Sequence, residues 1–415
     1  MKRLENFYRP NSSLFYAYPA GNADRFYNEV PTWIEELVAA RTLTMINEND
    51  ALNAIVFDAT MQHRTLDYLR NTLGVPLMNP ERIISLPPEI SVESTGIERN
   101  ERIKKAILES VSEKSLVMAQ PFSDEKLKPL FSIPPENVQK LNDKRSMDDY
   151  VPSELLPETY STYLNGQEFS EAQPNPPFPC VIKVTSSSSG DGVRICTSTS
   201  ELKAAQHDFA HIHSDIYIQE FVDSQKNIGI QFLFPFDPHE KGLILNVSEQ
   251  ITTKNGIFMG SKISDNRSLD SKLHAFLFDN IFPYLRANGW HGIGNVDVLL
   301  SKSGKYYCID PNFRFTAASP FCLQMVRGEI QAPSIISFIG RLKRPIEEVR
   351  NILTPFAQQQ SDTQIMSIVA MVQDPEKTVF NAAVFSNEAD SFQENASKLL
   401  QAGIESSILK KLGNG

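Results

Sequence analysis

Two predicted strands decide the fold of this chain: GNVDVLL at residues 294–300 and KYYCIDPNFR at residues 305–314. A Ser-Gly pair lies between them, which predicts an antiparallel hairpin. The first strand carries Asp297 and the second carries Asp310. In such a hairpin the two carboxylates would lie side by side.

The second strand continues with further polar side chains on the same face. Side chains two residues apart point the same way, so Asp310, Asn312 and Arg314 would line one pocket. Two carboxylates and an amide oxygen are hard ligands that suit Mg²⁺, and adjacent carboxylates repel unless a cation lies between them. An ordinary hairpin with an exposed polar face would explain scattered acids, but not two acids, an amide and an arginine beside apolar strands. The pattern predicts Asp297, Asp310 and Asn312 as magnesium ligands.

A lysine in an apolar strand precedes a turn of small residues. Lys183 lies in CVIKV at 180–184, and TSSSSGDG at 185–192 leads to the returning strand VRIC at 193–196. Backbone N–H groups of such a turn can close over phosphates while the lysine supplies a point charge. A solvated strand lysine beside a common turn would explain the same residues. The chain has no GxxxxGK[ST] sequence, so this is not a P-loop.

The N-terminal third alternates strand-like and helical stretches. AIVFD at 54–58 is a short apolar run that ends in an acid, and residues 65–73 have a helical pattern that Gly74 stops. Residues 75–77 are predicted as the next strand. The order strand, helix, strand predicts an α/β layer.

Taken in their order, these elements resemble the ATP-grasp superfamily over about residues 140–315. The resemblance begins at NDK 142–144, continues through Lys183 and its turn to QEFV 219–222, and ends with the two acids of the hairpin. It implies an α/β chain with an ATP-grasp core of α+β type, two lobes and a lid, preceded by a Rossmann-like domain. The implied segments are a pre-ATP-grasp domain at 1–135, lid and linker at 136–222, a metal-binding lobe at 223–330 and a small C-terminal α/β segment at 331–415.

The resemblance also implies the site residues. ATP would be contacted by Lys144, Lys183, Ser187, Ser188, Ser189, Gly190, Gly192, Gln219, Glu220, Phe221, Val222 and Lys226. Arg314 would steady the reacting acyl group, and Asp297, Asp310 and Asn312 would hold magnesium. Two departures stand out, since Asp310 occupies a position where the family usually has glutamate, and Lys226 or Asn227 stands where an acid commonly holds the ribose.

The activity implied is that of an ADP-forming ligase, in which a substrate carboxylate is phosphorylated by ATP and the acyl phosphate is attacked by an amine. The chain length and the WHG sequence at 290–292 resemble pheganomycin-type peptide ligases and related carrier-protein ligases. The acceptor is therefore expected to be an amine of an amino acid or peptide, or a carrier-protein thiol. A nucleotide-binding protein without ligase activity and a kinase that stops after phosphoryl transfer remain alternatives.

A rival metal site would lie on the predicted lid helix, which begins at Glu201 behind an N-cap at Ser200. His207 and His211 lie one turn apart there, with His213 nearby. Zinc hydrolases use this spacing with a glutamate beside the first histidine, whereas Asp208 takes that place here. Surface histidines are the preferred interpretation.

The composition argues against some classes of protein. The chain has 415 residues, a net charge of −10 and 41% hydrophobic residues. The acidic balance argues against non-specific nucleic-acid binding, which needs a basic face. No run of ~18 apolar residues predicts a membrane span. The four cysteines form no CxxC pair, which favours buried thiols in a reducing cytoplasm. A homodimer is the general expectation for a soluble enzyme.

Overall fold

The computed structural model describes most of the chain, and its secondary structure forms three sheets. The described residues are 3–16, 32–56, 65–87, 96–185, 192–253, 256, 258–264, 267–359, 361, 363–374, 376–386 and 392–413.

The N-terminal sheet has four short parallel strands in the order β3-β2-β1-β4. These are β1 Ser13–Phe15, β2 Asn53–Val56, β3 Ile83–Ser85 and β4 Leu116–Met118. Two helices accompany the sheet, α1 Thr32–Met45 and α2 Gly96–Ser110. All residues of β1 and β4 are buried, as expected of a parallel sheet covered on both faces. The predicted N-terminal α/β layer is therefore confirmed.

One strand of that layer was predicted in the wrong place. Residues 75–77 form no strand, although Val75 and Leu77 are buried in the core. Pro76 between them has no N–H to donate to a ladder, so an apolar run here packs without pairing. The strand that pairs with β2 comes later, after a 3₁₀ turn at Pro80–Arg82.

The lid sheet is antiparallel, in the order β5-β8-β6-β7. Helix α3 Pro135–Asn142 precedes this sheet in the chain but packs in the core of the eight-stranded sheet described next. The lid strands are β5 Thr159–Tyr163, β6 Cys180–Val184, β7 Val193–Cys196 and β8 Ile216–Glu220, and the lid helices are α4 Gly166–Glu171 and α5 Thr199–Phe209. The predicted β6–β7 hairpin is present. The predicted N-cap at Ser200 is wrong: Ser198 accepts from the N–H of Glu201, whose carboxylate in turn accepts from Thr197 N–H.

The central sheet has eight antiparallel strands in the order β13-β12-β9-β10-β11-β14-β16-β15. They are β9 Ser224–Phe234, β10 Leu243–Thr252, β11 Phe258–Ser264, β12 Gly292–Ser301, β13 Tyr306–Asn312, β14 Ser334–Leu342, β15 Met366–Asp374 and β16 Lys377–Phe385. The last three strands belong to the C-terminal segment, which therefore extends the sheet that carries the predicted metal ligands.

Helices cover the central sheet. Residues 271–287 form one interrupted helix, made of α6 Ser271–Ala275, a π-helical turn at Phe276–Ile281 and α7 Phe282–Ala287. The helix at 271–287 packs against Val296, Val298 and Cys308 of the β12–β13 hairpin. The remaining helices are α8 Ser319–Arg327, α9 Ile346–Ala357, α10 Gln393–Gln401 and α11 Ser407–Gly413.

A tyrosine of the N-terminal domain, Tyr8, contacts the start of β12. Gly292 has φ +116°, and a Cβ there would lie 2.7 Å from the ring of Tyr8. The hydroxyl of Tyr8 accepts from Ile293 N–H at 3.2 Å and lies 3.0 Å from the hydroxyl of Tyr16. This contact, called the Tyr8 seam below, works only because the strand begins with a glycine.

Candidate active site

The hairpin of β12 and β13 brings its polar side chains together. Asp297 lies opposite Asp310 and Asn295 opposite Asn312, while Val298 already pairs with Cys308. One residue of β13 is thus skipped in a β-bulge directly beside the two acids. The side-chain amide of Asn312 donates to Asp297 Oδ2 at 3.3 Å and to Asp310 Oδ2 at 3.4 Å.

Asp297 is the most strongly held of these groups. Its Oδ1 accepts from Gln250 Nε2 and from Asn295 Nδ2, both at 2.6 Å, and the residue is 8% exposed. Burial, and then the charge of Asp310, raise the pKa of Asp297 to about 7. A cation held by both carboxylates and the Asn312 amide oxygen would remove this penalty, and the oxygen-only donor set fits Mg²⁺.

Two lysines approach the acids from the lid side. Lys144, which opens a 3₁₀ turn at Lys144–Asp149, is 7% exposed, and its Nζ lies 3.1 Å from Asp310 Oδ1. Burial lowers the pKa of Lys183, on β6, to about 8, while the nearby Asp310 acts in the opposite direction. The cluster combines cations and anions over a short distance, as a polyphosphate with its metal requires.

Arg314 lies at the same end of the cavity. Its Nη1 donates to Asn312 Oδ1, and its backbone N–H donates to Asn312 O at 2.7 Å. The side chain therefore stands next to the two acids, as the order acid-x-amide-x-arginine predicts.

The segment after β8 crosses between the lid sheet and the central sheet. Glu220, Phe221 and Val222 line the main cavity together with apolar side chains from both sheets, Val181, Leu299 and Ile309. This part of the cavity, called the slot below, therefore has apolar side chains from both sheets. Gln219 is placed differently, because its amide donates to Thr159 Oγ1 at 3.0 Å and it lines a separate cavity.

The ribose position is where the sequence was least informative. Lys226 is exposed and does not line the main cavity, whereas Asp223, Ser224 and Asn227 do. Asp223 is an acid of this cavity that no predicted motif included; it directly follows the QEFV motif, and Lys302 Nζ lies 2.9 Å from its Oδ2.

The predicted phosphate turn is described only in part. Ser187, Ser188, Ser189 and Gly190 lie outside the described residues. Gly192 is described, and its carbonyl accepts from Val184 N–H at 2.9 Å, closing the base of the hairpin.

A chain of buried amides and hydroxyls runs from the metal end into the protein. Gln231 Nε2 donates to Asn295 Oδ1 at 2.8 Å and to Thr316 Oγ1 at 2.9 Å, and its Oε1 accepts from Ser319 Oγ at 2.8 Å. Since Asn295 in turn holds Asp297, the network fixes the orientation of that carboxylate.

The cavity has a volume of about 450 Å³ and continues beyond Arg314. Its far compartment is walled by Tyr16, Val38, Arg41, Ala119 and residues 315–318. The first four come from the N-terminal domain, and no local motif marked them in the sequence.

Nothing else in the described part of the chain competes with this site as a metal centre. The described residues contain no group of three His, Cys, Asp or Glu side chains that could hold a metal ion. His207 is 93% exposed beside Asp208. Within the same residues, no helix combines the length and the apolar character that a membrane crossing needs.

Sequence comparison finds relatives of the central part of the chain. A family model described as L-aspartate–L-methionine ligase, ATP grasp, matches residues 160–312. Mitochondrial pyruvate carboxylase from Rattus norvegicus is 24% identical over 193 residues, which are 43% of this chain and 16% of that protein. The chain thus spans about a sixth of the curated relatives it matches.

Structural similarity extends over nearly the whole chain. N5-carboxyaminoimidazole synthetase from Staphylococcus aureus, complexed with ADP, has a TM-score of 0.55 and 10% identity, covering 96% of this chain and 98% of its own. An L-amino acid ligase from Bacillus licheniformis has a TM-score of 0.52 and 13% identity, covering 96% and 100%. These matches confirm the predicted ATP-grasp fold and the predicted likeness to ADP-forming ligases, a family whose usual cofactors are ATP and Mg²⁺.

Proposed function

We propose that this chain, which has an ATP-grasp ligase domain at its centre, joins a carboxylic acid to an amine and releases ADP and phosphate. One observation carries the proposal: Asp297, Asp310 and Asn312 converge beside Lys144 and Lys183. A metal-bound triphosphate needs this combination of oxygen ligands and cations within one cleft.

The nucleotide is assigned along the main cavity. Adenine would lie in the slot beside Glu220, Phe221 and Val222, where backbone groups can read its edge. Asp223 and Asn227 are the candidates for the ribose hydroxyls, in preference to the exposed Lys226. The phosphates would reach Lys144 and Lys183, with Mg²⁺ on the two acids supplying further compensation of phosphate charge.

The reaction needs no side-chain nucleophile. A carboxylate oxygen of the acid attacks the γ-phosphorus, and the bond from that phosphorus to the β,γ-bridging oxygen breaks with release of ADP. The amine nitrogen then attacks the acyl carbon, inorganic phosphate leaves, and the nitrogen loses a proton. Positioning and charge stabilisation account for the rate in such a scheme. Arg314, held against Asn312, is placed to stabilise the tetrahedral oxyanion.

The test is a substrate screen. The protein is incubated with ATP, Mg²⁺ and pools of carboxylic acids and amino acids, and ADP release and new masses are measured. Hydroxylamine is added in parallel, because it converts an acyl phosphate into a stable hydroxamate. We expect ADP, an amide product and a hydroxamate, all lost in Asp297→Asn.

Each other outcome has a definite meaning. ADP with a phosphorylated acid but no amide would assign a kinase, and ADP that requires an added carrier protein would assign a thioester ligase. Nucleotide binding without ADP release across all pools would identify a non-catalytic protein and overturn the proposal.

A further inference from the structure

The far compartment lies at a distinctive point of the N-terminal sheet. The chain passes from β1 to β2 and β3 on one side, and then places β4 on the other side of β1. Phe15 of β1 pairs with Met118 of β4, so the next residues, Tyr16 and Ala119, emerge together at the carboxyl ends of these strands. In open parallel sheets, ligands bind in the crevice where the strand order reverses in this way.

The wall of this crevice is mostly rigid and apolar. The ring of Tyr16 lies edge-on to that of Phe315, with centroids 4.5 Å apart, and its hydroxyl is held by Tyr8. Val38 and Ala119 add aliphatic surface. Such a wall discriminates between ligands by their shape, and these four side chains offer no charge that could pair with a charged ligand.

Arg41 is the exception in this wall. It extends from α1, whose neighbouring turns pack Leu37 and Ala40 against β15 and β16, so its backbone is fixed. A guanidinium has five N–H donors and can meet a carboxylate with two parallel bonds, whatever other contacts it makes within the protein. The attraction is stronger beside apolar surface than in water.

The charge at Arg41 is not needed for the proposed phosphoryl transfer. Lys144, Lys183 and Arg314 already stand around the two acids, and all three come from the lid or from the end of β13. Arg41 comes from the N-terminal domain and lines the same cavity beside Tyr16 and Phe315.

We propose that the far compartment binds a second, non-reacting carboxylate of a substrate and that Arg41 holds it. This inference rests on the proposed ligase function. The substrates it selects are amino acids or their short peptides, whose acceptor carboxylate stays free, or diacids, of which one carboxylate stays free. Simple amines and monoacids lack the group that Arg41 recognises.

The first test needs no variant. Once the screen gives a substrate pair, each non-reacting carboxylate is replaced in turn by its methyl ester or primary amide, and steady-state kinetics are measured. We expect a ten- to hundred-fold rise in KM when one particular carboxylate, of the acid or of the acceptor, is replaced, because one charge-assisted contact is lost. Which replacement has the effect tells whether the carboxylate belongs to the acceptor or to the acid. If neither replacement changes KM, the inference is overturned.

The second test uses Arg41→Gln, with Arg41→Lys as the conservative variant. Arg344→Gln is the matched control, because Arg344 is exposed and pairs only locally with Glu348 among the contacts seen. We expect Arg41→Gln to raise KM ten- to hundred-fold for the free acid but not for the ester, with the KM for ATP unchanged. Arg41→Lys should recover part of the loss, and Arg344→Gln should behave as wild type.

The two proposals fail in different ways. If wild-type protein releases no ADP with any pool, the ligase function falls and the subsite falls with it. If ADP and amide form, but Arg41→Gln discriminates between acid and ester as wild type does, only the subsite is wrong. Circular dichroism and the thermal midpoint of each variant establish that it is folded.

Discussion

The two ends of the cavity are built in different ways. The end with the proposed metal ligands, called the metal end below, is formed by the adjacent antiparallel strands β12 and β13. The positions of Asp297, Asp310 and Asn312 therefore follow from the register of these strands. The far compartment is assembled from residues of the N-terminal domain and residues 315–318, which meet only because the domains dock. Substitutions in the far compartment can therefore change which substrate binds without altering the positions of Asp297, Asp310 and Asn312.

The largest expected effect is at the metal end. Asp310→Asn removes one charge from the proposed magnesium ligands and also the partner of Lys144. We expect ATP turnover to fall at least a hundred-fold with every substrate, as removal of a single strong electrostatic group does in other enzymes. Asp279→Asn, on an exposed part of the helix at 271–287, is the control. Near-normal turnover with an unchanged dependence on Mg²⁺ would show that Asp310 is not a metal ligand.

Lys183 should matter for the nucleotide and not for substrate choice. Lys183→Met keeps most of the stem but deletes the charge, which is worth about 1.5–3 kcal/mol for a charge-assisted bond. We expect the dissociation constant of ATP to rise about ten- to a hundred-fold in calorimetry. Lys203→Met, exposed on α5 of the same lid, should bind ATP normally. Equal affinity in the two variants would contradict the assignment.

The Tyr8 seam offers a way to disturb the far compartment alone. Gly292→Ala places a Cβ against the Tyr8 ring and forces φ +116° on alanine, so we expect about 2–4 kcal/mol of lost stability. The matched control is Gly289→Ala, where φ is +64° and nothing lies within 4 Å. Urea unfolding measures both. In the folded variant, the KM of the substrate held by Arg41 should rise more than that of ATP; the reverse would break the distinction between the two ends.

The smallest expected effect concerns the network behind Asp297. Gln250→Leu deletes one of the two 2.6 Å bonds to its Oδ1 while the other, from Asn295, remains. We expect kcat to fall about three- to ten-fold, because Asn295 still holds the same oxygen and the net loss is about 1 kcal/mol. The Mg²⁺ requirement should rise. Gln225→Leu, exposed on β9, is the control. Substrate selectivity should not change in either variant.

The same contrast explains what could be predicted from the sequence. The hairpin that carries Asp297 and Asp310 was predictable, because strand periodicity and a turn signal are local. So was Lys183 in its strand. The signals for these residues lie in the strands themselves and in the turns that directly follow them.

Other parts of the site could not be predicted because they depend on packing. Gln250 reaches Asp297 only through the order β12-β9-β10, and Arg41 reaches the cavity only through domain docking. The apolar runs at 365–372 and 379–385 have a strand-like pattern, but nothing in them specifies that they extend the sheet that carries Asp297 and Asp310. Asp223 was visible in the sequence, but Lys226 and Asn227 were favoured by the spacing of the family motif.

The ion pair of Lys144 with Asp310 has a consequence for how ligands arrive. As long as the pair is intact, Lys144 competes with a cation for Asp310, and Asp310 competes with a phosphate for Lys144. A phosphate that draws Lys144 away frees Asp310 for a cation, and a cation that takes Asp310 frees Lys144 for a phosphate. Because such coupling is reciprocal by thermodynamic necessity, nucleotide and metal should each tighten the binding of the other. The protein would then respond to the metal–nucleotide complex as a single ligand, and weakly to either component alone.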